Sequence, residues 1–131
     1  MANTVGYLPD RGFWKPEGYK LEAQLQSACA LWFWNTHIRY RRTLFHVDNN
    51  SWNAVVGAQK KSLGVVAGPS DFIFIADKVY FLEMKLPGHQ QSPEQWDFMN
   101  KVLALGHEYW IIEYFAQFRN FINNKLKITY G

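Results

Sequence analysis

Residues 68–85 read Gly68-Pro69-Ser70-Asp71-Phe72-Ile73-Phe74-Ile75-Ala76-Asp77-Lys78-Val79-Tyr80-Phe81-Leu82-Glu83-Met84-Lys85, and the fold turns on them. Residues 71–75 and 79–85 are dense in β-branched and aromatic side chains with a short polar break between them, which predicts a hairpin. Gly68-Pro69-Ser70 is turn chemistry. In a strand, residues i and i+2 share a face, so Glu83 and Lys85 point the same way. A three-residue loop, Ala76-Asp77-Lys78, sets Asp71 directly across from Glu83. A two-residue loop without a bulge sets Asp71 on the opposite face, because a one-residue slip turns every side chain over. The register therefore decides whether two carboxylates and a lysine meet.

Outward from the hairpin, 86–91 is a loop containing Pro87 and Gly88. Ser92-Pro93-Glu94-Gln95 opens a helix with Ser as N-cap, Pro at N1 and Gln at N3. Trp96, Met99 and Leu103 form its apolar face, and Gly106 ends it. Residues 108–115 read as a strand. Phe118, Ile122 and Leu126 recur at helical spacing in a closing helix. Upstream, 18–36 reads as a helix with Leu21, Leu25, Ala28 and Trp32 on one face. Glu22 lies beside that stripe, and Cys29 belongs to the core. The basic run Arg39-Tyr40-Arg41-Arg42 rises into a strand, Thr43-Leu44-Phe45-His46-Val47. Asp48-Asn49-Asn50-Ser51 offers turn and cap for a second helix from Trp52 to about Leu63, which Gly64 stops. Residues 1–17 show no period and read as an irregular N-terminal arm. Its Tyr7, Phe13 and Trp14 are expected to dock on the body or on a second subunit. The rest, 18–131, reads as one domain of α/β or α+β type, with helices flanking a mixed sheet.

Composition agrees. A chain of 131 residues buries about two thirds of its unfolded surface and folds without staples. With 48% hydrophobic and 19% charged residues it is neither a disordered tail nor collagen-like. No apolar run approaches the ~18 residues of a membrane span, and the beginning lacks a signal-peptide layout. One cysteine excludes an internal disulfide framework and a multi-cysteine zinc site. A cytoplasmic protein is the expectation. The net charge of +3 permits a polyanionic partner without demanding one.

Asp71, Glu83 and Lys85 on one face of so apolar a sheet need a reason. A lone Glu-x-Lys usually marks a solvated strand face with a weak pair. Here an unpaired buried carboxylate is very costly, and two side by side repel. A hard divalent cation relieves both. The all-oxygen set favours Mg²⁺ or Mn²⁺ over zinc. Such an ion lowers the pKa of a water and polarises a phosphodiester, and Lys85 suits the charge that develops at phosphorus.

The combination of motifs resembles the VRR-NUC family of the PD-(D/E)XK nuclease superfamily, over roughly residues 20–115. Residues 64–72 resemble the glycine-flanked approach to its metal-binding Asp. Phe81-Leu82-Glu83-Met84-Lys85 resembles its E-x-K strand, and Ser92-Pro93-Glu94-Gln95 its S-x-x-Q helix start. His46-Val47-Asp48-Asn49 is similar to its H-x-x-N strand end, and Glu22 to an acidic residue of its first helix. The usual Pro-Asp dipeptide is Ser70-Asp71 here, with Pro69 one place earlier.

The resemblance implies an α/β, restriction-endonuclease-like sheet flanked by helices. It further implies a Mg²⁺-dependent (or Mn²⁺-dependent) endonuclease on DNA, of the small phage or bacterial kind, in replication or repair. Asp71, Glu83, the Met84 carbonyl and Glu22 would bind the metal, Lys85 would position the attacking water, and Gln95 would steady the site. Gln95 is equally a capping-box partner, Glu22 a surface residue, His46 a strand histidine and Asn49 a turn residue. His37, His89 and His107 have no metal-like spacing.

Arg39, Arg41, Arg42, Lys60, Lys61 and Lys78 are candidate phosphate contacts, and equally a solvated face. No helix-turn-helix or zinc finger is present, so branched or otherwise structured DNA, as for Holliday-junction resolvases, is the expected substrate. The loop 86–91 is a further candidate for backbone contact. The aromatic rings are assigned to the core rather than to base stacking. So small a nuclease is expected to be a homodimer or higher homo-oligomer, with the arm in its interface. The alternative is a catalytically silent nuclease fold that binds DNA or protein.

Overall fold

The computed structural model describes residues 4–47 and 54–131. The elements run α1 (Glu22–Thr36), β1 (Leu44–His46), α2 (Ala54–Ser62), β2 (Phe72–Ile75), β3 (Val79–Met84), α3 (Pro93–Ala104), β4 (Glu108–Ile112) and α4 (Phe115–Tyr130). The four strands form one mixed sheet in the order β1-β2-β3-β4. β1, β2 and β3 pair antiparallel. β3 and β4 are parallel, with α3 as the crossover between them.

The hairpin has the three-residue loop, and Ala76 N–H donates to the Lys78 carbonyl at 2.9 Å. Phe72 pairs with Leu82 and Phe74 with Tyr80, which carries Asp71 to the level of Glu83. The sheet is buried on both faces over β3. On one face Phe72, Phe74, Tyr80, Leu82 and Met84 pack with Leu25, Cys29 and Phe33 of α1 and Phe118, Phe121, Ile122 and Leu126 of α4. On the other, Tyr109 and Ile111 pack with Met99 and Val102 of α3. Alternate residues of each strand feed alternate faces.

Three boundaries differ from the sequence reading. α1 begins at Glu22 and buries Leu25, Cys29 and Phe33, whereas Leu21 is 62% exposed. This helix is apolar around much of its circumference, so periodicity cannot single out the buried stripe. β1 is only three residues long, and 38–40 form a single 3₁₀ turn. β4 stops at Ile112, and Phe115 already opens α4. The cause is distant in sequence: the Glu17 carboxylate accepts from the N–H groups of Phe115 (2.6 Å) and Ala116 (3.0 Å). An acid there satisfies orphan donors and the helix dipole together. The cap of α2 expected at Asp48-Asn49-Asn50-Ser51 lies outside the described residues.

The arm docks on its own body through Tyr7, Asp10 and Arg11, whereas Phe13 is 77% exposed. Tyr7 bridges Ile111 in parallel, and the Ile111 N–H donates to the Gly6 carbonyl at 2.6 Å. Arg11 pairs with the buried Glu113 at 2.9 Å, and Gln117 donates to Asp10 at 3.0 Å.

Candidate functional site

The acidic pair sits where β2 begins and β3 ends. Asp71 Oδ2 accepts from the backbone N–H of Met84 at 2.7 Å, so its carboxylate closes the strand ladder where the backbone has run out. Glu83, one residue back, is only 1% exposed. Burial pushes its carboxyl up to about 10, a hydrogen bond with the Asp71 carboxylate and that group's negative charge add to the rise, and Lys85 opposes it. Two carboxyls sharing a buried site cannot both ionise at neutral pH without a counter-charge.

Lys85 follows at the strand end and is itself buried, 6% exposed. Its Nζ lies 3.6 Å from Glu22 Oε1 on the first turn of α1. His89 Nδ1 lies 3.6 Å from the other oxygen, Glu22 Oε2. Glu22 is thus brought to the site but stands beside Lys85 and His89. Its signals in sequence were its place on the helix edge and the resemblance to an acidic residue of a first helix, and His89 had no signal at all.

Two neighbours brace the pair. His46 Nδ1 lies 2.9 Å from the Asp71 carbonyl oxygen and 2.8 Å from the Gln26 side-chain amide. The same carbonyl accepts from the Val47 N–H at 2.8 Å. His46 therefore holds Asp71 by its backbone, as a positioning residue on β1. Asp48 and Asn49 lie outside the described residues. The second neighbour is Tyr109 of β4, buried, whose hydroxyl donates to Glu83 Oε2 at 3.4 Å and accepts from Gln91 Nε2 at 2.9 Å. Sequence reasoning missed Tyr109 and Gln91, because the parallel register that aligns Glu83 with Ile111 is set by tertiary packing.

Gln95 closes a capping box with Ser92: its Oε1 accepts from the Ser92 N–H at 2.9 Å, and its own N–H donates to Ser92 Oγ at 3.2 Å. That bond accounts for its side-chain oxygen through the helix start.

Lys78 and the run Arg39–Arg42 lie at the loop end of the hairpin, not at the acidic pair. Lys78 lies in the hairpin loop, five residues from Glu83, or about 17 Å along an extended strand. It pairs with Glu108 at 3.6 Å. Arg41 donates to the Trp34 carbonyl at 2.9 Å and lies 4.4 Å from the Trp34 ring centroid. Arg39 is 5.9 Å from the Tyr40 ring centroid. Arg42 adopts a left-handed backbone, φ 78°, in the turn before β1. β1 begins at Leu44 opposite Phe74, so this run borders the loop end of the hairpin, away from Asp71. Lys60 and Lys61 close α2, their carbonyls accepting from Val65 and Gly64.

The chain shares the fold of a solved VRR_NUC domain protein. The TM-score is 0.67, and the match covers 86% of this chain and 92% of the other. Identity is 17%, so the likeness is one of fold. No family model matches the sequence, and no curated protein matches it.

Among the described residues no group of three or more His, Cys, Asp or Glu is arranged to hold a metal ion. The acidic pair nonetheless fits a hard divalent cation by its chemistry. Mg²⁺ takes one or two carboxylates and completes its shell with water and phosphate oxygens. Asp71 and Glu83 supply two such carboxylates, and a cation between them would displace the proton that their repulsion now retains. Among the described residues no helix is long and apolar enough to cross a membrane.

Proposed function

We propose that this chain is a metal-dependent endonuclease that hydrolyses DNA phosphodiester bonds, with branched or otherwise structured DNA as its substrate. The observation that carries this reading is the Asp71–Glu83 pair, with Lys85 beside it at the end of β3, in a fold shared with a VRR_NUC domain protein.

Asp71 and Glu83 would hold Mg²⁺ or Mn²⁺, with the Met84 carbonyl as a further oxygen donor and Glu22 reaching the ion through a water. A bound divalent ion supplies a water of lowered pKa and a polarised phosphodiester. Lys85, buried and oriented by Glu22, places a fixed positive charge near the attacked phosphorus and a donor for the attacking water. His46 and the Met84 N–H fix Asp71 from both sides of its backbone–side-chain span. Tyr109 fixes Glu83. Gln95 acts through the start of α3. Arg39, Arg41, Arg42, Lys60, Lys61 and Lys78 would serve as peripheral phosphate contacts on a long substrate. Self-association as a homodimer would supply paired active sites for a branched substrate, and a bacterial or phage-infected cytosol is the setting that fits.

The second reading is a catalytically silent DNA- or protein-binding fold. The test is cleavage of labelled duplex, flap and four-way-junction DNA with Mg²⁺, Mn²⁺ or chelator. Metal-dependent cleavage that Lys85→Ala and Asp71→Ala abolish is expected. Binding without cleavage under every condition would establish the silent fold instead.

A further inference from the structure

A cleft of about 390 Å³ opens at the loop after β3, and Asp71, Glu83 and Lys85 are not among its walls. Its walls include Tyr7 and Arg11 of the arm, His89, Gln90 and Gln91 of the loop after β3, and Trp96 of α3. Two contacts join these walls to the site. Gln91 donates to Tyr109, which donates to Glu83, and His89 faces Glu22. The cleft therefore adjoins the acidic pair through Tyr109 and Glu22, with the arm, the loop after β3 and α3 as its walls.

Its lining selects among ligands. Arg11 is held by Glu113 at 2.9 Å and lies 3.6 Å from the Tyr7 ring centroid. Its charge is already paired, so the cleft offers no free guanidinium for a phosphate. It offers instead aromatic rings and the exposed side-chain amide of Gln90. That amide carries both donors and an acceptor, the complement of a nucleobase edge, whereas Gln91 already gives its Nε2 to Tyr109 and its Oε1 is buried. Flat rings stack on the faces of bases regardless of sequence. A volume near 390 Å³ lies in the range of small-ligand sites and accommodates a single nucleotide, not a duplex.

We propose that this cleft receives one unpaired nucleobase of the strand being cut, stacked against Trp96 and read at its edge by Gln90, while Gln91 ties the cleft wall to Glu83 through Tyr109. The proposal rests on the nuclease reading above and extends it. A duplex keeps its bases stacked and paired and cannot fill the cleft without the cost of extrusion, whereas a flap, bubble or open junction presents a base already free. Preference for structured DNA then follows from this compartment without any separate DNA-reading module.

The test scans a single abasic residue through the three nucleotides on either side of the cut in a substrate that the wild type cleaves. One position is expected to raise KM roughly tenfold. Trp96→Ala should raise KM similarly on the intact substrate and make that abasic position no worse. Trp96 also packs on the α3 core, so Gln90→Ala, on the exposed loop, serves as a second variant and should raise KM about threefold with kcat unchanged. Cleavage that tolerates the abasic residue at every position within twofold overturns the proposal. If no DNA is cut with either metal, the nuclease reading fails separately. Binding of the same oligonucleotides in Ca²⁺, followed by fluorescence anisotropy, then decides: loss at one abasic position supports the cleft, and uniform or absent binding overturns it.

Discussion

The Met84 N–H donates to Asp71 Oδ2 at 2.7 Å, and this one bond ties a candidate metal ligand to the end of the strand that carries its partner, Glu83. Asp71 therefore has two separable duties, a structural bond and a charge. Asp71→Asn keeps an acceptor for the Met84 N–H and removes the charge. We expect cleavage to fall by at least a hundredfold with melting close to wild type. Asp71→Ala removes both, and should lose about 1–2 kcal/mol of stability as well. Parallel activity assays and thermal melts distinguish the two. Equal destabilisation by both variants would show that the bond does not hold the strand end.

Glu83 carries the pH dependence of the metal-free protein. Its carboxyl, ordinarily near 4.5, is raised to about 10 by burial and by Asp71. Between those values the folded state binds a proton that the unfolded state has lost. Stability is then fully present below pH 4.5 and declines as pH rises toward 10. Glu83→Gln is neutral throughout and escapes this decline. In chelator at pH 8 its urea midpoint should exceed that of the wild type, by roughly a few kcal/mol in stability, and the gap should shrink at pH 5. Mg²⁺ or Mn²⁺ should raise the wild-type midpoint and leave the variant's in place. A gap independent of pH would overturn the assignment.

Much of this was legible in the sequence, for physical reasons specific to each part. The hairpin was readable because the polar break 76–78 fixes loop length, and loop length fixes register. The start of α3 was readable because Ser92, Pro93 and Gln95 each have one local task, and the capping box is formed. The Asp71–Glu83–Lys85 set followed from those two. What sequence could not show are contacts that span the chain. Glu17 reaches α4 across 98 residues, Tyr109 reaches Glu83 across a parallel register, and the arm pairs with β4. None leaves a periodic trace. The place of the basic run was not readable for a related reason: charge shows in the sequence, but which end of the sheet it borders depends on β1 pairing with β2.

The cap supplied by Glu17 is itself testable. Its carboxylate accepts from two N–H groups at the first turn of α4, a helix that builds much of the larger core. Glu17→Ala should cost about 1–2 kcal/mol, measured by urea unfolding. Because Glu17 is exposed, Glu17→Gln should recover part of the loss through its remaining acceptor. A silent Glu17→Ala would mean that water replaces the carboxylate at no cost.

The placement of the basic residues predicts a weak and graded role. Lys78 is about 17 Å from Glu83 along the strand and pairs with Glu108, so Lys78→Ala should change kcat by less than twofold. Its effect should be confined to affinity for long substrates and to the salt dependence of binding, where one phosphate contact shifts the slope by about one unit. Shortening the DNA to a few base pairs around the cut should erase the difference. A large loss of kcat would place Lys78 at the chemistry and contradict the separation that the strand rise gives.

Gly68 gives the sharpest test of how the approach to Asp71 is built. It adopts φ +86°, and a Cβ there would meet the Glu94 carbonyl carbon at 2.5 Å and its oxygen at 2.6 Å. The glycine lets the segment Pro69-Ser70-Asp71 lie directly against the first turn of α3. Gly64 provides the control: it has φ +91°, and a Cβ added there would meet nothing within 4 Å. Gly64→Ala carries only the backbone strain, about 1 kcal/mol. Gly68→Ala carries that strain and a collision with backbone that cannot rotate away, so it should cost roughly 2–4 kcal/mol. Relief of the collision must push 68–71 off α3, which draws Asp71 from the Met84 N–H. Cleavage should therefore fall in Gly68→Ala beyond what its melting temperature explains, and should persist in Gly64→Ala. Equal effects of the two substitutions on stability and on cleavage would remove the contact with Glu94 as the element that sets Asp71.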